Sequence, residues 1–89
     1  MELELFVETG CITSDIALSI VEQVRKLVPE VNLKVIDVRT ANDALPEAVF
    51  AVPTYLLDGR LISLGNPDVN DLLRTLKAGS TFHRDRRGG

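Results

Sequence analysis

The chain of 89 residues is 45% hydrophobic and has a net charge of −3, and this apolar content is sufficient for one small domain with its own core. Its single cysteine excludes an intramolecular disulfide and a Cys-x-x-Cys metal site, and we expect no metal. Because the sequence has neither a signal-peptide pattern nor an apolar stretch of membrane-spanning length, it predicts a cytoplasmic protein without membrane association.

The first two predicted elements are a strand and a helix. Alternating apolar side chains over residues 3–7 predict a strand that is largely covered on both faces. Apolar residues then recur at spacings of three and four, as on one face of a helix: Ile16, Ala17, Ile20, Val21, Val24, Leu27 and Val28. Thr13, Ser14 and Asp15 supply capping oxygens and negative charge for the helix start, and Pro29 ends the helix.

Cys11 lies at the junction of this strand and this helix. A helix N-terminus offers unpaired N–H groups and the positive end of the helix dipole, which stabilise the reactive thiolate. Three residues on, where a dithiol redox enzyme has its second cysteine, the chain has Ser14. Ser14 could donate a hydrogen bond to the thiolate, whereas Glu8 and Asp15 would oppose its charge. Any redox chemistry must therefore use one sulfur.

The middle of the chain predicts a second strand and a short helix. Residues 33–38 are rich in β-branched side chains, as in an interior strand of a parallel sheet. With the helix between them, the two strands form a βαβ unit, which should be right-handed. Residues 41–50 contain Asn42 and Asp43 as helix-starting residues, and Pro46 is tolerated in a first turn. We therefore expect a short helix over residues 41–50.

A hairpin is predicted next. Asp58-Gly59 lies between two apolar runs, residues 54–57 and 60–64. Asp-Gly is favoured in a two-residue type I′ turn because both central residues there need a positive φ. The two runs should therefore pair as antiparallel strands.

The last predicted helix runs from Asn66-Pro67, a capping residue and a proline suited to the first turn, to Gly79. Its core stripe consists of Val69, Leu72, Leu73 and Leu76. Residues 80–89 have a net charge of +2, which leaves −5 for residues 1–79. We therefore predict one domain over residues 1–79 and a basic, flexible tail over residues 80–89. The acidic domain makes nucleic-acid binding unexpected.

The element order β-α-β-α-β-β-α, Cys11 at the first strand-to-helix junction and Val52-Pro53-Thr54 before the third strand together resemble the thioredoxin and glutaredoxin superfamily. The resemblance covers residues 1 to about 78. It implies an α/β fold in which a four-stranded mixed sheet has helices on both faces. It also implies that Cys11 matches the nucleophile and Ser14 the resolving position. Pro53 then matches a cis-proline beside the cysteine, and Val52 and Thr54 flank it in the substrate-binding segment.

Departures from the family pattern narrow the implied chemistry. The residues around Cys11 lack the preceding tryptophan and the following Gly-Pro pair of thioredoxins, so dithiol reductase activity is not expected. Glu8 stands where single-cysteine glutaredoxins have a basic residue. Glutaredoxins hold glutathione with a glycine pair and acidic residues at the start of the last helix. Gly65, Asn66 and Asp68 match that pattern loosely, so they are the candidate contacts for glutathione as a cofactor.

Two function classes remain open. In the first, the protein is a monothiol-type oxidoreductase in which Cys11 forms a mixed disulfide that glutathione or a partner thiol resolves. In the second, it is a redox-inactive interaction module of the same fold, which binds a protein partner through the same groove or an exposed sheet edge. The plain alternatives for the site residues are a buried filler for Cys11, a helix cap for Ser14 and an architectural role for Pro53. A third class, an iron–sulfur carrier, needs a dimer that shares Cys11 and glutathione, and it ranks last. Both leading classes imply a protein substrate or partner, and we expect a monomer.

Overall fold

The computed structural model describes residues 1–41 and 45–85, with the backbone alone over residues 79–85. Its elements in chain order are β1 (Glu2–Val7), α1 (Ile12–Leu27), β2 (Asn32–Asp37), β3 (Thr54–Leu57), β4 (Arg60–Leu64) and α2 (Val69–Asp85). The strands form one sheet in the order β2-β1-β3-β4, in which β1 and β2 are parallel and the other two pairs are antiparallel. The predicted α/β class with a four-stranded mixed sheet is confirmed.

The hydrophobic core lies between one face of the sheet and the two helices. Alternate residues of a strand point to the same side, so β1 and β3 each bury one set of side chains against the helices. The buried cluster consists of Leu3, Leu5, Val7, Ala17, Ile20, Val21, Val24, Val28, Val31, Tyr55, Leu57, Leu72 and Leu76. Because it contains residues of both helices, α1 and α2 pack on the same face of the sheet.

The predicted short helix between β2 and β3 is not formed over residues 45–50, and residues 42–44 lie outside the described part of the chain. A turn is found instead, in which the Val49 N–H donates to the Pro46 carbonyl at 2.9 Å. Proline has no N–H and disfavours helical backbone at the residue before it, which explains the turn. The two helices that the structure describes therefore share one face, and the expectation of helices on both faces is corrected for these residues.

The predicted hairpin is confirmed with the expected strand bounds. Its turn residues Asp58 and Gly59 have φ values of 50° and 84°, the positive values that a type I′ turn requires. The Asp58 carboxylate also accepts the Glu2 N–H at 2.8 Å, and the Asp58 N–H donates to the Glu2 carbonyl at 2.8 Å. The hairpin turn is therefore bound to the first residue of β1, at the end of that strand opposite to Cys11.

Both ends of the last helix differ from the prediction. Asp68, not Asn66, caps α2, because its Oδ1 accepts the N–H groups of Asn70 and Asp71 at 2.9 and 3.2 Å. The helix also continues through Gly79 to Asp85. A glycine inside a helix costs only about 1 kcal/mol relative to alanine, so it need not end the helix. The domain boundary at residue 79 and the flexibility of the tail stay predictions, and residues 86–89 lie outside the described part.

Candidate functional site

Cys11 occupies the N-cap of α1 with extended backbone (φ −92°, ψ 130°), and its side chain is partly exposed. Its N–H donates to the Glu8 carbonyl at 3.1 Å, and its carbonyl accepts the Asp15 N–H at 3.0 Å. Gly10 makes the preceding turn with a φ of 93°, a conformation that side-chain-bearing residues rarely adopt. The local backbone therefore holds the thiol at the first turn of the helix, beside N–H groups that have no partner within the helix.

Hydrogen bonds shift the Cys11 thiol toward its thiolate form. The hydroxyl of Thr13, with Oγ1 at 3.0 Å from Sγ, is the largest cause of the lowered pKa of Cys11. The backbone N–H groups of Ser14 and Thr13 lower this pKa further. Partial desolvation raises it, and the Ser14 hydroxyl lowers it by the smallest amount. Donors to the sulfur favour the charged form. Repulsion from Glu8 or Asp15, which the sequence led us to expect, is not among the causes of the shift.

Ser14 is buried, with 1% of its surface exposed, and its Oγ accepts the Glu8 N–H at 2.9 Å. The N-cap of α1 is Cys11, three residues earlier, so the interpretation of Ser14 as the helix cap is wrong. The Ser14 side chain instead ties the first turn of α1 to the backbone that leaves β1. It thereby closes the turn that carries Cys11, residues 8–14, which we call the Cys11 turn.

Asp37 stabilises the same turn from the neighbouring strand, a role that the sequence analysis missed. The parallel register pairs Val7 with Asp37, which places the carboxylate at the edge of the sheet where β1 ends. It accepts the Thr9 hydroxyl, the Thr9 N–H at 3.3 Å and the Arg39 N–H at 2.9 Å. The Thr9 hydroxyl is the main cause of the lowered pKa of Asp37. The carboxyl ends of parallel strands lie at the same edge of a sheet, so a polar residue at the end of the second predicted strand could have identified Asp37.

We expect the Asp37→Asn variant to lose part of the acid sensitivity of the fold. The folded-state pKa of Asp37 is lowered, so its contribution to stability is present above about pH 4 and is lost as the pH falls through the folded value. The variant keeps the shape but not the charge. It should have a lower Tm at pH 7, and its Tm should decrease less between pH 7 and pH 3 than that of the wild type. Equal decreases would contradict this role of Asp37.

The segment before β3 lies alongside the Cys11 turn. The Val52–Pro53 peptide bond is cis, and the antiparallel register pairs Thr54 with Phe6, near the end of β1. The Pro53 carbonyl accepts the Gly65 N–H at 2.8 Å. Thr54 is fully buried, and its hydroxyl donates to the Ala51 carbonyl at 2.5 Å. The Thr54 side chain is therefore not available to a substrate, whereas Val52 is partly exposed.

The turn between β4 and α2 joins the sheet to the first turn of α1. The Tyr55 hydroxyl donates to Asn66 Oδ1 at 3.0 Å, and Asn66 Nδ2 donates to the Thr13 carbonyl at 2.9 Å. Burial raises the pKa of Tyr55, so its hydroxyl remains protonated and able to donate. Gly65 has a φ of 84°, and Asp68 caps α2. The polar groups expected to contact glutathione thus already have structural partners.

A cavity of about 270 Å³ lies beside the cis-proline segment. It is lined by Glu8, Val38, Leu45, Val49, Phe50, Ala51 and Val52. Phe50 is 74% exposed, and Ile12, directly after Cys11, is 76% exposed. The Glu8 carboxylate lies 4.0 Å from the Arg39 guanidinium. The site therefore combines an apolar surface, of the kind that marks interaction sites, with an acidic group at one side.

Two features are absent from the described ranges, residues 1–41 and 45–85. Within them, no group of three or more His, Cys, Asp or Glu side chains is arranged to hold a metal ion. Neither of the two helices found there is both long and apolar enough to cross a membrane.

No protein-family model and no curated protein matches the chain. One similar solved structure is thioredoxin 3 of Saccharomyces cerevisiae mitochondria in its oxidised form. A second is a chain from a structure that concerns thiol resolution in yeast mitochondrial 1-Cys peroxiredoxin via the glutathione/thioredoxin systems. A third is thioredoxin 1 of Thermosipho africanus.

The similarity extends over most of the chain. The first two structures are 26% and 27% identical, with TM-scores of 0.68 and 0.69, and each match covers 85% of this chain and 76% of the other. The bacterial thioredoxin is 22% identical with a TM-score of 0.73, and that match covers 94% of this chain and 99% of the other. The chain therefore has the thioredoxin fold and belongs to the thioredoxin-like superfamily.

Proposed function

We propose that the protein is a thiol-disulfide oxidoreductase of the single-cysteine type, with Cys11 as its nucleophile. The observation that carries this proposal is the partly exposed Cys11 thiol at the N-cap of α1, 3.0 Å from the Thr13 hydroxyl and with a lowered pKa. Similarity to thioredoxin-type redox proteins supports a thioredoxin-like oxidoreductase in general terms. The single cysteine of the chain supports the monothiol form.

The proposed reaction has two exchange steps. The Cys11 thiolate attacks one sulfur of a protein disulfide or a glutathione adduct, so that a new S–S bond forms, the old one breaks and the leaving sulfur departs as a thiolate that takes up a proton. A second thiolate, from glutathione or a partner protein, then attacks the mixed disulfide and releases the Cys11 thiolate. With a glutathione adduct, Cys11 takes the glutathione sulfur, the protein thiol is released, and the second step releases oxidised glutathione. With a protein disulfide, the second step leaves the external thiol bonded to the substrate sulfur, so a further external thiol must attack that bond to complete the reduction. Ser14 cannot perform the second step because it has no sulfur.

The substrate would bind along the cis-proline segment. The backbone of Val52 is the proposed partner of an extended substrate peptide next to Cys11, and Pro53 positions that backbone. A substrate side chain would enter the apolar cavity in front of Val52, which Phe50 borders. Thr54 would act only through its backbone because its side chain is buried. A protein thiol or disulfide is therefore the proposed substrate of a monomeric protein in the cytoplasm, with glutathione as the resolving thiol.

The pH dependence of Cys11 alkylation tests the proposal. The rate with iodoacetamide should reach half of its maximum below about pH 8.5, the value for a free cysteine. Glutathione disulfide should add one glutathione to the wild type, and none to the Cys11→Ser variant, in intact-mass spectra. A thiol pKa equal to or above that of free cysteine, together with no adduct, would reject the oxidoreductase proposal.

The Thr13→Val variant should slow alkylation of Cys11 at pH 7 by about three- to ten-fold, because the side-chain hydroxyl that stabilises the thiolate is replaced by a methyl group. At pH 10, where the thiol is ionised in both proteins, the two rates should agree. Thr75→Val is the matched control, since the Thr75 hydroxyl donates only to the Asp71 carbonyl within α2. If both variants react at the wild-type rate at pH 7, Thr13 does not activate Cys11.

A redox-inactive interaction module is the second candidate, and the exposure of Phe50 at the cavity and of Ile12 next to Cys11 favours it. In that case the same apolar surface would bind a partner protein without any exchange of sulfur. The Cys11→Ser variant separates the two candidates. Partner binding that is unchanged in this variant, combined with an unreactive wild-type thiol, would support the module and reject the oxidoreductase.

A further inference from the structure

We propose that Asn66 is a positioning residue for Cys11, because its side-chain amide fastens the first turn of α1 to the turn between β4 and α2 and so keeps the Thr13 hydroxyl at the thiol. This inference deepens the proposed function and rests on Cys11 as its nucleophile. It assigns to Asn66 a role different from the glutathione contact that the resemblance implied.

The contacts of Asn66 form a continuous connection from the core to the thiol. Tyr55, which is fully buried in β3, donates its hydroxyl to Asn66 Oδ1 at 3.0 Å. Asn66 Nδ2 donates to the Thr13 carbonyl at 2.9 Å, and Thr13 Oγ1 lies 3.0 Å from Cys11 Sγ. The orientation of the amide is determined, because a carbonyl can only accept and must therefore face Nδ2. Each side-chain group of Asn66 thus has a defined partner.

The position of Thr13 explains why this connection matters. Thr13 is the second residue of α1, in the part of the helix where fraying is easiest. Its hydroxyl contacts the sulfur only while residues 11–13 keep their backbone conformation. The hydrogen bond from Asn66 fixes the Thr13 carbonyl relative to the sheet and not merely relative to the helix. Loss of the amide should therefore loosen the Thr13 hydroxyl without removing it.

The same turn also holds the cis-proline segment. The N–H of Gly65, the residue before Asn66, donates to the Pro53 carbonyl at 2.8 Å. Two consecutive residues thus contact the segment before β3 on one side and the Cys11 turn on the other. Asn66 is therefore placed to keep the thiol in register with the peptide-binding segment.

Charge does not explain the expected effect of removing the amide. Glu8 and Asp15 are close to Cys11 in the chain, Asp37 and Arg39 contact residues 8 and 9 just before it, and Asp68 follows Asn66. An Asn66→Ala substitution replaces one neutral side chain by another and leaves all of them in place. A change in the pKa of Cys11 would therefore report on hydrogen-bond geometry.

The test measures the alkylation rate of Cys11 against pH in Asn66→Ala, with Asn66→Ser as a second variant. We expect both to react about two- to five-fold more slowly than the wild type at pH 7 and equally fast at pH 10. Tyr55→Phe, which removes only the hydrogen bond to Oδ1, should have a smaller effect. Asp58→Ala is the matched control, because it loses a hydrogen bond to Glu2 at the opposite end of β1.

The outcomes separate this proposal from the proposed function. If Asp58→Ala lowers the Tm as much as Asn66→Ala but keeps the wild-type pH profile, the effect of Asn66 is positional and not a consequence of general destabilisation. Wild-type profiles in both Asn66 variants would overturn the positioning role, whatever the wild-type activity. If the wild type instead forms no mixed disulfide, the exchange reaction fails, while the shift of the pH profile by Asn66 can still be measured.

Discussion

A Ser14→Cys variant is expected to form an intramolecular disulfide with Cys11 and to reduce protein disulfides at least about ten-fold faster than the wild type, because a second thiol resolves the mixed disulfide within the molecule. Residues three apart at a helix start are neighbours, and Ser14 lies directly within the Cys11 turn. Its Oγ accepts the Glu8 N–H at 2.9 Å. A thiol is a weaker acceptor, so the substitution should cost about 1 kcal/mol of stability.

The activity is measured as reduction of insulin driven by dithiothreitol, and the disulfide by the loss of free thiols in an oxidised sample. Ser14→Ala is the control, because it loses the same hydrogen bond without adding a sulfur. The double variant Cys11→Ser/Ser14→Cys should be inactive. A disulfide without reductase activity would argue for the interaction module, since the site would then have the sulfur chemistry but would not accept a substrate. The absence of any disulfide would contradict the proposed arrangement of these two positions.

Replacing Leu5 by alanine is expected to destabilise the fold by about 2–5 kcal/mol, the usual cost of removing a buried leucine side chain. Leu5 is fully buried in the central strand β1, where it pairs with Val35 on β2 and with Tyr55 on β3. A small domain has a total stability of only about 5–15 kcal/mol, so this loss should leave a marginally folded protein. The Tyr55–Asn66 connection to the Cys11 turn should be weakened with it.

Urea denaturation followed by circular dichroism measures this loss. Leu61→Ala is the matched control: Leu61 is 44% exposed on β4, and its truncation should change the stability by about 0.5 kcal/mol or less. If the two variants unfold at the same urea concentration, the burial of Leu5 does not determine the stability of the domain.

Most of the fold followed from local patterns. The alternation over residues 3–7 and the apolar stripe of α1 each report on a periodicity that is specific to one element type. Asp58-Gly59 predicted the hairpin because few residue pairs adopt two consecutive positive φ values. The segment 41–50 misled the prediction. Its apolar residues and acceptable N-terminus satisfied the helix pattern, whereas around Pro46 the backbone forms a turn.

The candidate site was likewise predicted only in part from the sequence. The position of Cys11 at a helix start followed from the sequence, because the thiol and the helix N-terminus are neighbours along the chain. The residues that hold the surrounding turn in place are not all neighbours in sequence. Asp37 reaches the Cys11 turn across a parallel pair of strands, and Asn66 reaches it from 53 positions further along the chain.

Sequence alone therefore determined the class of fold, the order of most elements and the one sulfur on which any redox chemistry must depend. The tertiary structure decided which residues support that sulfur. In the structure, the Ser14 hydroxyl accepts the Glu8 N–H, and the Asn66 amide donates to the Thr13 carbonyl. The structure also shows that Asp68 caps α2. The physical reason is the range of the interactions: backbone conformation is set by near neighbours, whereas a side-chain hydrogen bond depends on which distant segments the packed core brings together.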